Sequence, residues 1–179
     1  MACDISHGRK ASDICKTVGG IKAIYIWNWD DSFDVNTDFI FTVDDSIGAN
    51  VSGTPIEFFK YETRGGASFD EAGETSEENG TVFYTTTGTV QLKRQDSATR
   101  KELKLMAYGR PRVMVEDWNG DVKMYGLQNG CTVSFSTASG TAMGDFNGYS
   151  INITATEVEP ANFVGAWYLS PSEATIITS

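Results

Sequence analysis

The sequence predicts a mainly β fold, an antiparallel β-sandwich or barrel with one flanking α-helix and a long protruding strand pair. Three observations predict this class. The chain has 18 glycines in 179 residues, which suits a β-rich fold with many turns. Short β-prone segments bounded by turn residues recur along it. Only one stretch has a convincing helical spacing of apolar residues.

That helix is predicted at about 99–108. Three apolar residues at i, i+3 and i+4 share one face: Leu103, Met106 and Ala107. Thr99 and Glu102 have the spacing of a capping box. Gly109 is expected to end the helix in the left-handed conformation.

A tight hairpin is predicted directly after the helix. Asn119-Gly120 lies between two alternating apolar runs and predicts a two-residue type I′ turn. Asn129-Gly130 turns the chain again. The three strands near 112–118, 121–127 and 131–137 are therefore expected to form an antiparallel meander.

Strands are predicted elsewhere from β-prone composition and alternation: 21–27, 39–43, 56–62, 67–74, 81–93 and 149–158. The first of these is apolar on both faces and is expected to be buried on both. Residues 44–55 are predicted to be a loop.

Residues 56–93 are expected to form long paired strands with too few large apolar residues for a core of their own. Such a pair either projects into solvent or meets a partner, since a long free edge promotes aggregation. The segment also contains a run of acids: Asp70, Glu71, Glu74, Glu77 and Glu78.

The chain is expected to be one domain, residues 1–179, with a polar N-terminal arm (1–18) and an aromatic C-terminal tail (161–179). The tail has no obvious partner within the sequence. It is expected to dock either on this domain or on a neighbour.

Composition narrows the function. The formal net charge is −10, which disfavours binding to phosphates or to an anionic membrane surface. No apolar run approaches the roughly 20 residues of a membrane helix, and no signal peptide is visible, so we expect synthesis in a cytoplasm. Three cysteines without metal-site spacing are expected to be free thiols.

The sequence offers little for catalysis. Its single histidine, His7, lies in the polar arm, and no nucleophile–base pair or phosphate loop is present. Residues 117–121 weakly resemble a calcium loop, but the hairpin explains them better. Acidic pairs at 30–31 and 44–45 are better explained as solvated loops than as metal sites. We expect no enzyme activity, no metal and no cofactor.

Tryptophan side chains give a further possibility, a platform for a sugar ring. The chain has four of them: Trp27, Trp29, Trp118 and Trp167. Packing is the preferred interpretation, because Trp27 lies in an apolar strand and Trp118 flanks a turn.

Several phrases together resemble a known family. They are 19–25 (GGIKAIY), 102–111 (ELKLMAYGRP), 115–120 (VEDWNG), 126–130 (GLQNG), 140–149 (GTAMGDFNGY) and 157–163 (EVEPANF). The chain resembles the major tail tube proteins of tailed bacteriophages of Bacteroidetes-type hosts, over most of 19–163. These phrases are turn and packing patterns and not catalytic signatures.

The resemblance implies a structural virion protein that is made in the bacterial host and located in the phage tail. It implies a β-sandwich or barrel with one helix, and a long hairpin or loop that reaches neighbouring subunits. Hexameric rings would stack into a hollow tube through which DNA passes without specific binding. The implied partners are other copies and other tail or connector proteins, with no membrane.

Two groups of residues become candidates on this basis. The candidate lumen-facing acids are Asp70, Glu71, Glu74, Glu77 and Glu78. The candidate inter-subunit contacts are Phe58, Phe69, Phe83, Tyr84, Phe163 and Trp167. The alternatives are another virion component (a head–tail joining ring or a capsid decoration protein) and a carbohydrate-binding β-sandwich.

Overall fold

The computed structural model describes residues 17–42, 46–63 and 65–178. The fold is mainly β, with 49% strand, 13% helix and antiparallel sheets. The predicted fold class is therefore confirmed. The predicted N-terminal arm, including His7, lies almost wholly outside the described residues.

Two sheets and a small hairpin contain the strands. The first sheet has the spatial order β11 (Asn162–Phe163), β8 (Val122–Tyr125), β7 (Arg112–Asp117), β1 (Ile21–Trp27), β4 (Ile56–Glu62) and β12 (Ala174–Ile177). The second sheet has the order β5 (Ala67–Ser76), β6 (Thr81–Lys93), β10 (Gly148–Glu157) and β9 (Thr132–Ala138). The small hairpin pairs β2 (Phe39–Phe41) with β3 (Ile47–Asn50). The helices are α1 (Val35–Asp38) and α2 (Ser97–Tyr108), and a 3-10 turn spans Ala166–Leu169.

The first sheet is the middle layer, which explains the composition of β1. One of its faces packs on the second sheet and on α2, and the other lies under the β2–β3 hairpin and the C-terminal tail. Ile24 and Ile26 enter the core between the sheets, whereas Tyr25 and Trp27 enter the other core. The prediction that β1 is buried on both faces is confirmed.

The helix begins two residues earlier than predicted, because a different residue caps it. Asp96 is the N-cap, and its carboxylate accepts hydrogen bonds from the Thr99 backbone N–H and hydroxyl, both at 2.7 Å. Leu103 is fully buried, whereas Ala107 is exposed. Gly109 ends the helix in extended backbone with φ −92° and not in the left-handed conformation.

The first hairpin turn also differs from its prediction. The backbone N–H of Asp117 donates to Asp121 O at 3.0 Å, and that of Gly120 to Asp117 O at 3.3 Å. Only Gly120 has a positive φ, +88°, within the turn. The loop therefore has three residues, a type I turn followed by a left-handed glycine. Asp117 stabilises this longer loop, since its Oδ1 accepts N–H bonds from Asn119 and Asp121.

Long-range pairing differs from prediction in three places. β9 leaves the predicted meander and, among the strands that the structure describes, pairs only with β10. β4 pairs with β1 and β12 and not with the long β5–β6 hairpin. The predicted loop 44–55 contains β3.

The C-terminal tail docks on its own domain. β12 pairs with β4 in parallel, and Trp167 and Tyr168 are buried beneath the first sheet. The Trp167 ring N–H donates to Ile47 O at 3.2 Å. Of the two expected docking sites, the tail takes the one on this domain.

Candidate assembly surfaces

Strand alternation divides the acidic run among three surfaces. All five acids are exposed, but in β5 successive side chains point to opposite faces. Asp70 and Glu74 lie on the outer face of the second sheet, Glu71 lies on the inner face, and Glu77 and Glu78 lie in the turn. These acids do not form one continuous wall within the subunit.

Glu71 is held by its own subunit. Its carboxylate accepts the Ala161 backbone N–H at 2.6 Å. Burial, followed by the charges of Glu71 and Asp70, raises the pKa of the nearby Tyr125 to about 12. Glu71 therefore has a structural partner that the sequence did not reveal.

The six candidate contact residues also separate. Phe58 is 1% exposed and Trp167 is 6% exposed, so neither offers surface to a neighbouring copy in the folded chain. Phe69 stacks on Tyr125 with ring centroids 5.5 Å apart. Its ring lies over Gly88, where an added Cβ would clash with it.

The remaining three candidates keep accessible surface. Phe83 and Tyr84 are partly buried on β6, and they lie on opposite faces of the hairpin. Phe163 is 46% exposed, and the Lys123 ammonium lies 4.9 Å from its ring centroid.

The second sheet has two edge strands of different chemistry. β5 is ten residues long and acidic, whereas the seven residues of β9 carry no charge. Gly66 O accepts the Gln91 N–H at 2.9 Å. This bond shows which residues of β5 direct their backbone N–H and C=O groups to β6, since every second residue does so. The backbone groups of Phe69, Glu71 and Gly73 accordingly point away from β6, toward the free edge.

The outer face of the second sheet is rich in hydroxyl groups. Its exposed or half-exposed side chains on β6, β9 and β10 include Thr85, Thr87, Thr89, Thr132, Ser134, Ser136, Ser150, Asn152, Thr154 and Thr156. Among the strand residues of this face, the charged side chains are Asp70, Glu74 and Lys93. The face is thus nearly neutral, although the chain has a net charge of −10.

Charge is unevenly distributed along β6. Beyond Tyr84, where pairing with β10 ends, the hairpin tip projects with Glu74, Glu77 and Glu78. The other end of β6 carries Lys93 and Arg94, followed in the first turns of α2 by Arg100 and Lys101. Arg94 has φ +70°, the only positive φ at a non-glycine residue in the described part of the chain.

Two charged groups inside the first sheet are structural. Glu116 accepts hydrogen bonds from the Lys22 ammonium and, at 2.7 Å, from the Tyr25 hydroxyl. Burial opposes its ionisation, but these two donors outweigh burial and hold the pKa of the Glu116 carboxyl below its ordinary value.

Arg112 is 2% exposed and lies among aromatic rings. Its guanidinium carbon is 4.1 Å from the Trp29 ring centroid and 4.6 Å from that of Trp27, and its Nε donates to Leu127 O at 2.9 Å. Burial lowers the pKa of this guanidinium. The arrangement joins β7 to the segment after β1.

The tryptophans do not form a common platform. Trp27 and Trp167 are buried, Trp29 packs on Arg112, and Trp118 covers Gly20.

Residues 17–42, 46–63 and 65–178 contain no group of three or more potential metal ligands. Burial raises the pKa of the Cys131 thiol to about 12. Of the helices in these same ranges, none is both long and apolar enough to cross a membrane.

Comparisons with protein-family models, with curated proteins and with solved structures found no match to this chain.

Proposed function

We propose that this protein is a structural subunit of a phage tail tube, which assembles into stacked rings around a channel for DNA and has no enzyme activity. The resemblance implies six subunits per ring. One observation carries the proposal beyond the resemblance: the second sheet ends in two edge strands, β5 and β9, that differ in charge and that no other strand of the described residues covers.

These edges favour a head-to-tail contact between copies. Pairing two β5 strands would bring Asp70, Glu71 and Glu74 close to the same acids, and like charges across a ladder are destabilising. β9 has no charged residue to repel them. Pairing of β5 with β9 of the next copy is heterologous, and a heterologous contact forms a ring when the rotation closes.

Strand direction supports the same contact. Every neighbouring pair in the second sheet is antiparallel, so β5 and β9 run in opposite directions. A copy related by rotation about an axis along the strands would therefore present β9 antiparallel to β5. The alternation of directions would continue across the contact and would cover both edges.

The outer face of this sheet suits a channel wall. A protein holds DNA chiefly by placing Lys and Arg on phosphates. This face presents mostly hydroxyl groups, with Lys93 at one end. A duplex would find few ion-pairing positions there and would slide.

Electron microscopy of negatively stained, purified full-length protein tests the proposal. We expect stacked rings with a central hole. Isolated rings that never stack would favour a joining ring, and a trimer or monomer would contradict the tube.

A proline variant tests the edge contact. Glu71 lies near the part of β5 that is level with β9, and its N–H points to the free edge, so Glu71→Pro should leave the β5–β6 ladder intact while blocking strand addition. We expect a folded variant without rings. Glu71→Val, which also loses the carboxylate bond to Ala161, is the control and should form rings normally. Normal rings from Glu71→Pro would contradict pairing of β5 with β9.

A further inference from the structure

The hairpin tip and the basic end of the second sheet are separate surfaces with opposite charge. The acidic tip is defined here by Glu74, Glu77 and Glu78. The basic end is defined by Lys93, Arg94 and Arg100. All six side chains are exposed, and none of them forms a salt bridge with another residue of the described ranges.

One copy cannot bring these two surfaces together. The strand β6 connects them, and it has 13 residues. At roughly 3.3 Å per residue the strand separates its ends by about 40 Å, far beyond the Debye length of about 8 Å at physiological salt. The two surfaces therefore cannot pair within one copy, whereas a second copy placed end to end brings its acidic tip to the basic end of the first.

The surrounding sequence sharpens this polarity. From Gly65 to Leu92 the chain has five acids and no Lys or Arg, whereas residues 93–104 contain five of its 14 Lys and Arg residues and two acids. One of these acids, Asp96, caps α2, and hydrogen bonds from Thr99 and, after them, the charge of Arg94 lower the pKa of its carboxyl. With five cations against two acids, the basic end still has an excess of positive charge in a chain whose net charge is −10.

The backbone holds Arg94 at the basic end with a φ of +70°. The Arg94 N–H donates to Asn147 O at 2.8 Å, which fixes the residue at this end of the sheet with an exposed side chain.

We propose that the basic end binds the acidic tip of a second copy in the adjacent ring, so that ion pairs along the strand direction hold the rings in a stack. This inference rests on the proposed function and names the contact that stacks the rings. The partner is a second copy of this chain because the complementary surface is present on the same molecule. Val82, 55% exposed beside the tip, adds apolar area to the same contact.

Charge exchange between two full-length variants tests the proposal. The tip variant carries Glu77→Lys and Glu78→Lys, and the basic-end variant carries Lys93→Glu, Arg94→Asn and Arg100→Glu. Asn is used at position 94 because it tolerates a positive φ. Sedimentation velocity and electron microscopy measure stacking at low salt and in 1 M NaCl.

Wild-type rings should stack at low salt and separate in 1 M NaCl, where the Debye length is about 3 Å. Each variant alone should form rings but need roughly tenfold more protein to stack. An equimolar mixture should stack again, because the tip of one variant now fits the basic end of the other. The mixture is the folding control for both variants.

Stacking of either variant at the wild-type concentration, or a mixture that does not stack, would overturn this inference and leave the tube function standing. Wild-type rings that never stack would also overturn it. Loss of rings in Glu71→Pro, away from the acidic tip, tests the lateral contact separately, so the failure of the two proposals is distinguishable.

Discussion

At the scale of single residues, Glu116 shows how the first sheet accommodates a charge near its core. The residue is 7% exposed, and it is compensated by Lys22 on one carboxylate oxygen and by Tyr25 on the other. The folded protein binds the proton of Glu116 less tightly than the unfolded chain does, because its pKa is lowered from 4.5. Its contribution to stability is therefore present above the unfolded pKa and is lost as the pH falls through the folded pKa.

Replacement of this residue gives a pH-dependent prediction. Glu116→Gln should lower the free energy of unfolding at pH 7 by about 1–3 kcal/mol, because Lys22 and Tyr25 lose a charged acceptor. The difference from wild type should shrink as the pH falls below 4.5. Urea unfolding at several pH values measures this, with the exposed Glu78→Gln as the control. A difference that stays constant down to pH 3 would contradict the role of the carboxylate.

At the scale of elements, local sequence predicted the strands better than their partners. Apolar residues on both faces identified β1 because such a pattern is needed in a middle layer. The same reasoning could not place β9 in the second sheet, since nothing in residues 131–138 specifies its partner. β3 was missed because its four residues, IGAN, show no alternation and include a glycine.

The candidate inter-subunit contacts also show that local sequence does not reveal burial that results from long-range pairing. Phe58 and Trp167 are candidate contacts by sequence because they are large aromatics. Their burial depends on β12 and the tail, which contact residues more than 100 positions earlier in the chain. The free edge of β5 was foreseen in part, because a long strand pair with few apolar residues implies an unfilled surface.

Trp167 tests how the tail contributes to the subunit. Trp167→Ala should lower the free energy of unfolding of the monomer by about 3–5 kcal/mol, since it removes a buried ring packed near Phe39 and Phe58. The matched control is Leu169→Ala, whose side chain is 62% exposed and which should change stability by less than about 0.5 kcal/mol. Chemical denaturation of monomeric protein measures both. A Trp167→Ala monomer as stable as wild type would mean that the tail docks on a neighbour.

At the scale of the whole molecule, the edges, ends and outer face of the second sheet differ in chemistry, and the proposed assembly gives each of them a different contact. In the proposed tube, the two edges of the second sheet would make the lateral contacts, the charged ends of β6 would make the axial contacts, and the hydroxyl-rich outer face would line the channel. Of the five acids that the sequence proposes for the lumen, fewer can line a channel formed by the outer face. Asp70 and Glu74 lie on the outer face, whereas Glu71 is bonded to Ala161 on the other.

The proposed channel wall gives the last prediction. Thr87 and Thr154 are exposed, directly opposite each other and central on the outer face. Thr87→Lys with Thr154→Lys would place 6 × 2 = 12 added cations in a ring of six copies, the number that the resemblance implies. We expect tubes that still form but retain duplex DNA, with retention falling steeply as salt rises, because cations on phosphates release counterions.

The control for this variant is Thr87→Gln with Thr154→Gln, which adds length without charge. Fluorescent duplex DNA that co-sediments with purified tubes at 50 mM and 500 mM NaCl measures retention. Wild-type and Gln tubes should retain little DNA at either salt concentration. If the Lys tubes retained no more than the Gln tubes, although both assembled, the outer face of the second sheet would not be the surface that meets DNA, and the channel wall would have to be sought on another face of the subunit.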